Sequence, residues 1–205
     1  MSSPRRMNRL LQGDVGSGKT IVCLFAMLLA VEGGYQAALM APTELLAEQH
    51  ASTLGKLLEP LGIEIHLLTG KKSDKERRII LQSLKDGQAR VIVGTHALIQ
   101  KGVVFEKLGL VVVDEQHRFG VKQRMALGDS ELAPDTLLMS ATPIPRSLAM
   151  ALYGDFDLSI IDGLPAGRKP VKTLLYPPRK RNEVYKKLES ELMEGRQAYV
   201  VYPLI

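Results

Sequence analysis

Gly13-Asp14-Val15-Gly16-Ser17-Gly18-Lys19-Thr20 fits the pattern G-x-x-x-x-G-K-[ST] at every fixed position. Each residue type has a task at that spacing. The glycines let backbone N–H groups turn inward around phosphate oxygens, the lysine ammonium reaches the terminal phosphates, and the threonine hydroxyl can ligate Mg²⁺. The first turn of a following helix adds the positive end of its dipole. Some 95 residues beyond Lys19, the apolar run Leu110-Val111-Val112-Val113 ends in Asp114 and Glu115. A carboxylate at the carboxyl end of a strand is placed to hold Mg²⁺, and the one beside it to polarise an attacking water. Residues 13–20 are therefore the candidate phosphate cradle, Thr20 and Asp114 the candidate metal ligands, and Lys19 and Glu115 the candidate catalytic groups.

Such a loop works only between a strand and a helix, and the flanks read that way. Arg9-Leu10-Leu11-Gln12 leads in, and the apolar stretch 20–32 leads out into Gly33-Gly34, a helix stop. Short apolar runs then recur at 37–40, 63–68, 91–93, 108–113, 136–139 and 158–161, with helical patterns at 44–58, 72–85, 120–127 and 145–152. That rhythm predicts an α/β fold, a parallel sheet buried under helices on both faces. The break at 163–170, with two glycines and two prolines, predicts a linker. Beyond it the pattern predicts a strand at 172–176, a helix at 179–194 and a strand at 198–202. One β-α-β unit hardly buries its own sheet, so residues 171–205 read as the opening of a second domain.

Composition excludes several classes of protein. The chain has 205 residues, 45% of them apolar, enough for a real core. Its longest apolar run, 21–31, falls short of the roughly 17–25 residues that cross a bilayer, and no charged-then-apolar leader opens the sequence. A soluble, cytoplasmic protein with no membrane partner is expected. The single cysteine, Cys23, lies in an apolar helical stretch and reads as a small buried hydrophobe. The four histidines, His50, His66, His96 and His117, lack partners at zinc-ligand spacing. Net charge is +5, yet residues 168–187 alone hold eight basic residues against one acid. That segment is either a solvated face or a nucleic-acid contact.

The residues around the two acids carry a family resemblance. Asp114-Glu115-Gln116-His117 resembles motif II of superfamily 2 helicases of the DEAD/DEAH type. Ala41-Pro42-Thr43-Glu44-Leu45 is similar to motif Ia, Val93-Gly94-Thr95-His96 to motif Ib and Ser140-Ala141-Thr142 to motif III, in the expected order. The longer stretches 10–20, 41–50, 114–120, 140–146 and 195–205 resemble RecG-type ATP-dependent DNA helicases, and the likeness covers essentially the whole chain. A sister group, the transcription-repair coupling translocase, shares phrases like His117-Arg118-Phe119-Gly120 and Thr142-Pro143-Ile144-Pro145-Arg146. Gln116, Ser17, Ala41-Pro42-Thr43-Glu44 and Gly167-Arg168-Lys169-Pro170-Val171 are more similar to RecG.

The resemblance implies a RecA-like lobe over 1–170, the beginning of a second helicase lobe over 171–205, ATP with Mg²⁺ as cofactors, and forked or branched DNA, bound without sequence preference, as partner. It implies that Pro42, Thr43, Gly94, Thr95 and His96 meet the DNA backbone. Gln116, His117, Ser140, Ala141 and Thr142 would couple nucleotide state to DNA grip. A RecG-type enzyme is also expected to carry an amino-terminal wedge domain, a base-binding segment before the P-loop and a full second lobe, none of which lies in these residues. The second lobe supplies a transition-state arginine, and fingers of that kind contribute roughly 10³–10⁵ in rate. The chain is expected to bind nucleotide better than it hydrolyses it. The rival readings are a duplex-tracking translocase and a nucleotide-binding module without turnover.

Overall fold

Alternation within each strand decides the architecture. In Gln36–Met40 (β2), Ala37 and Leu39 point to one apolar cluster while Ala38 and Met40 point to another. The same split holds for Leu110 and Val112 against Val111 and Val113 in Leu108–Val113 (β5), so both sheet faces are dry. The computed structural model describes residues 6–114, 134–142, 156–162 and 171–201. The helical patterns at 120–127 and 145–152 and the linker at 163–170 lie outside the described residues.

The remaining strands are Asn8–Gly13 (β1), Ile65–Leu68 (β3), Val91–Gly94 (β4), Asp135–Ser140 (β6) and Asp157–Ile161 (β7). All seven form one sheet in the order β3-β4-β2-β5-β6-β1-β7. Every pairing is parallel. Lys19–Glu32 (α1) and Glu44–Leu58 (α2) supply Cys23, Met27, Ala47, Leu54 and Leu58 to one cluster. Asp74–Lys85 (α3) supplies Leu84 to the other. Helices therefore lie on both faces, as the RecA-like α/β pattern requires. Among the described residues no helix is long and apolar enough to cross a membrane.

Local chemistry sets the helix starts. Thr43 accepts from the Leu46 N–H at the head of α2. Ser73 and Glu76 form a reciprocal capping box at the head of α3, which shortens the predicted helix there by two residues. At the opposite edge of the sheet, the buried Gln36 amide donates to the Leu84 and Ala89 carbonyls at 2.9 Å each. Its oxygen accepts from the Lys107 N–H at 3.0 Å. One side chain thus joins the end of α3 and the starts of β2, β4 and β5.

The chain divides into two compact units, Met1–Gly167 and Arg168–Ile205. In the second, Arg181–Met193 (α4) forms within the predicted helix and buries no residue. The segments predicted as strands at 172–176 and 198–202 differ from expectation: among the described residues, 172–176 and 198–201 form no strand. Leu175 is 98% exposed and Val201 88%. A strand exists through its ladder and its buried face, and among the described residues this unit offers neither.

Candidate nucleotide site on the carboxyl edge

Because every strand runs the same way, all seven carboxyl ends line one edge, where ligands of open α/β sheets gather. Backbone hydrogen bonds tie neighbouring ends together. Thr95 N–H donates to Leu68 O at 3.3 Å, Ala41 N–H to Gly94 O at 2.8 Å and Asp114 N–H to Met40 O at 2.9 Å. The sequence-predicted groups at 13–20, 41–43, 94–96, 114 and 140–142 thus share one rim, although about 130 residues of chain separate the first from the last.

The loop after β1 is shaped for an anion. Gly16 and Gly18 hold positive φ values of 80° and 96°, conformations that side chains rarely adopt. Gly18 begins α1 with no side-chain cap, so the first-turn N–H groups are not claimed by a capping side chain. Lys19 Nζ donates to the Gly13 and Asp14 carbonyls at 2.7 and 2.9 Å, which keeps the ammonium across the mouth of the loop with a further N–H to give. A Cβ on Gly13 would come within 2.5 Å of Ser17 Oγ and 3.1 Å of Ile161 Cβ, so only glycine fits. Ser17 Oγ is buried without a hydrogen-bond partner, an orphaned polar atom inside the cradle. Backbone N–H groups, an ammonium and an unspent hydroxyl suit phosphate oxygens.

Asp114 ends β5 on the same rim. His50 Nε2 donates to its Oδ2 at 2.7 Å, with both side chains 13% exposed. Hard oxygens from Thr20 and Asp114 are the donor chemistry Mg²⁺ prefers when it arrives with substrate phosphates. The Asp114 charge is felt within α1: burial first, and that carboxylate second, push the Cys23 thiol well above the ordinary thiol range. Cys23 is fully buried and its thiol lies 3.6 Å from the Met27 sulfur, matching a packing role. Glu115, Gln116 and His117 lie outside the described residues.

The third loop closes on itself. Ser140 Oγ accepts from the Thr142 N–H at 3.2 Å and donates to the Thr142 carbonyl at 3.1 Å, which folds Ser140-Ala141-Thr142 into a tight turn. Gln12, the residue before Gly13, donates from Nε2 to that same carbonyl at 3.0 Å. This link between the P-loop strand and the turn is absent from the sequence reading, as is the His50 contact. Neither had a local sequence signal, since His50 follows Glu48-Gln49 and Gln12 stands beside the glycine loop, each far in sequence from its partner.

The groups expected to face DNA divide on burial. Pro42 and Thr43 are half-buried and His96 is exposed. Gly94 and Thr95 are buried; a Cβ on Gly94 would meet the Leu68 carbonyl at 2.3 Å, and Thr95 caps the following turn through the Ala97 N–H. Of that second trio, only His96 presents its side chain to solvent.

Comparison with known proteins accords with this rim. The DEAD/DEAH box helicase family model matches residues 3–151. The chain is 54% identical over 201 residues to the ATP-dependent DNA helicase RecG of Aquifex aeolicus, covering 97% of this chain and 25% of that protein. It is 52% identical over 205 residues to the Bacillus subtilis protein of the same name, covering 100% of this chain and 30% of that one. It thus spans between a quarter and a third of the curated relatives it matches. A solved structure of RecG bound to a three-way DNA junction superposes with a TM-score of 0.80 at 49% identity, over 99% of this chain and 27% of that one. The helicase MrfA, at 22% identity and a TM-score of 0.62, shares the fold. With that family model matching well over half of the sequence, and the glycine loop, the strand-end aspartate and the Ser-Ala-Thr turn all inside the match, the chain belongs to the DEAD/DEAH box helicase family.

Proposed function

We propose that the chain is the ATP-binding motor lobe of a RecG-type DNA helicase acting on forked or branched DNA in recombination and repair. Residues 1–170 would form the RecA-like lobe and residues 171–205 the opening of a second. The observation that carries this reading is the convergence of residues 13–20, Asp114 and Ser140-Ala141-Thr142 on one rim, in a chain about half identical to RecG proteins along its whole length.

On this reading the backbone of 13–20 and Lys19 hold the β- and γ-phosphates, Thr20 and Asp114 hold Mg²⁺, and Glu115 orients the attacking water. The metal supplies charge neutralisation between the phosphate oxygens. Pro42, Thr43, Gly94, Thr95 and His96 meet DNA backbone. Ser140, Ala141 and Thr142, with Gln116 and His117, pass nucleotide state to that surface. Duplex opening costs on average about 1.4 kcal/mol of stacking per base-pair step, so it requires repeated hydrolysis coupled to lobe movement.

The test is DNA-stimulated ATP hydrolysis by the full-length protein bearing this lobe. The reading predicts turnover that rises more with forked than with plain duplex DNA of equal length. Equal stimulation by both would favour a duplex-tracking translocase, and absent turnover a binding module.

A further inference from the structure

Asp114 is held at both ends by one segment of chain. Its N–H donates to Met40 O at the end of β2, and its Oδ2 accepts from His50 Nε2 within α2. Between Met40 and His50 lies the 41–43 turn, pinned to the neighbouring strand by Ala41 N–H to Gly94 O and closed by the Thr43 cap on α2. His50 lies on the buried side of α2, in helical step with the fully buried Ala47 and Leu54, which leaves its imidazole mostly shielded from solvent.

We propose that His50 is a positioning residue of Asp114, and that the Met40-to-His50 segment makes the metal-facing carboxylate answer to the turn that meets DNA. This inference rests on the nucleotide reading above. Mg²⁺ tolerates little departure from octahedral geometry, so a carboxylate on an open sheet edge serves it best when its plane is set in advance. Against an ionised carboxylate the imidazole can only donate, and at 2.7 Å the bond lies in the charge-assisted range. Partners of this kind, one shell out from a metal, typically contribute 10–100-fold in metal affinity. A displacement of the 41–43 turn moves the start of α2, and with it the imidazole, relative to a backbone contact that the same turn leaves from Met40. Thr43 and Asp114 thereby share one short mechanical element.

The test is calorimetric titration of the 205-residue chain with ADP, with Mg²⁺ and in EDTA. His50→Leu should lower the Mg²⁺ enhancement of ADP affinity about tenfold or more, and leave the affinity in EDTA unchanged. His50→Gln, which restores an amide donor, should recover part of the loss, as a purely space-filling role would not. A folded His50→Leu protein with the wild-type Mg²⁺ enhancement overturns the inference alone. Absence of ADP binding by the wild type under both conditions overturns the nucleotide reading and this inference with it. Should His50→Leu fail to fold, ¹⁵N NMR of the wild type decides: the His50 Nε2–H resonance should shift with Mg²⁺-ADP and not with ADP in EDTA. An unshifted resonance overturns the inference.

Discussion

Glu115 carries the sharpest residue-scale consequence, because its proposed task depends on ionisation and not on shape. Glu115→Gln in the full-length protein keeps the side-chain volume and removes the ability to polarise water, so nucleotide affinity should stay near wild type while turnover falls by at least 10²-fold, on the order of what a positioned base contributes. Steady-state ATPase assays alongside equilibrium binding check this; wild-type turnover would move the role elsewhere. The residues of the cradle were legible in the sequence because glycine, lysine and threonine at fixed spacing have few other uses together. His50 and Gln12 were not, since each acts through a partner 64 or 130 residues away, and only the sheet order reveals those partners. For Gly94 and Thr95 a DNA contact was implied by the family resemblance and not by spacing; the proximity of Leu68 O to Gly94 adds a packing reason for the glycine that the sequence did not show.

The described elements of the first unit followed from periodicity, because strands buried on both faces and helices of ordinary length leave strong apolar patterns. Helix α2 spans the predicted residues, and every predicted strand from β1 to β7 forms within two residues of its expected ends. Strand order was not legible: β1 lies between β6 and β7, a pairing that no local pattern encodes. Nor was the Gln36 staple, which spans α3, β4 and β5. Gln36→Leu should leave the Ala89 carbonyl and the Lys107 N–H without these partners at a buried position, while the Leu84 carbonyl keeps the Gly87 and Glu106 N–H groups. At roughly 1–3 kcal/mol per orphaned group, partly relieved by water, the cost should be about 3 kcal/mol in urea unfolding. A loss below about 0.5 kcal/mol, the size of an ordinary surface change, would show that the staple adds little. At the head of α3, the Ser73 hydroxyl first, and its N–H second, hold the Glu76 carboxyl below its usual range. A depressed carboxyl stabilises the folded form above its unfolded pKa and loses that contribution as pH falls through the folded value. Amide protection over 73–77 should therefore weaken on acidification, and protection independent of pH would contradict the capping box.

For the whole molecule, the basic run Arg179-Lys180-Arg181 stands at the start of α4, where the helix dipole disfavours cations. Lys180 is partnered there by Glu183 at 3.1 Å and Arg181 lies 5.8 Å from the Tyr185 ring, so part of the run is locally occupied. If it also contacts DNA, binding of single strands by the chain should be weak, with log affinity falling by about 0.7 per neutralised phosphate for each unit of log salt. Neutralising all three residues should then flatten that slope; an unchanged slope would assign the run to solvent and leave the Thr43 and Thr95-His96 loops as the remaining candidates. If the carboxyl edge of the sheet is a nucleotide site, calorimetry of the 205-residue chain with Mg²⁺-ADP will show it. The wild type should bind measurably and Lys19→Ala not at all, because the Lys19 ammonium spans the loop mouth through Gly13 O and Asp14 O. Equal affinity in the two proteins would contradict that assignment.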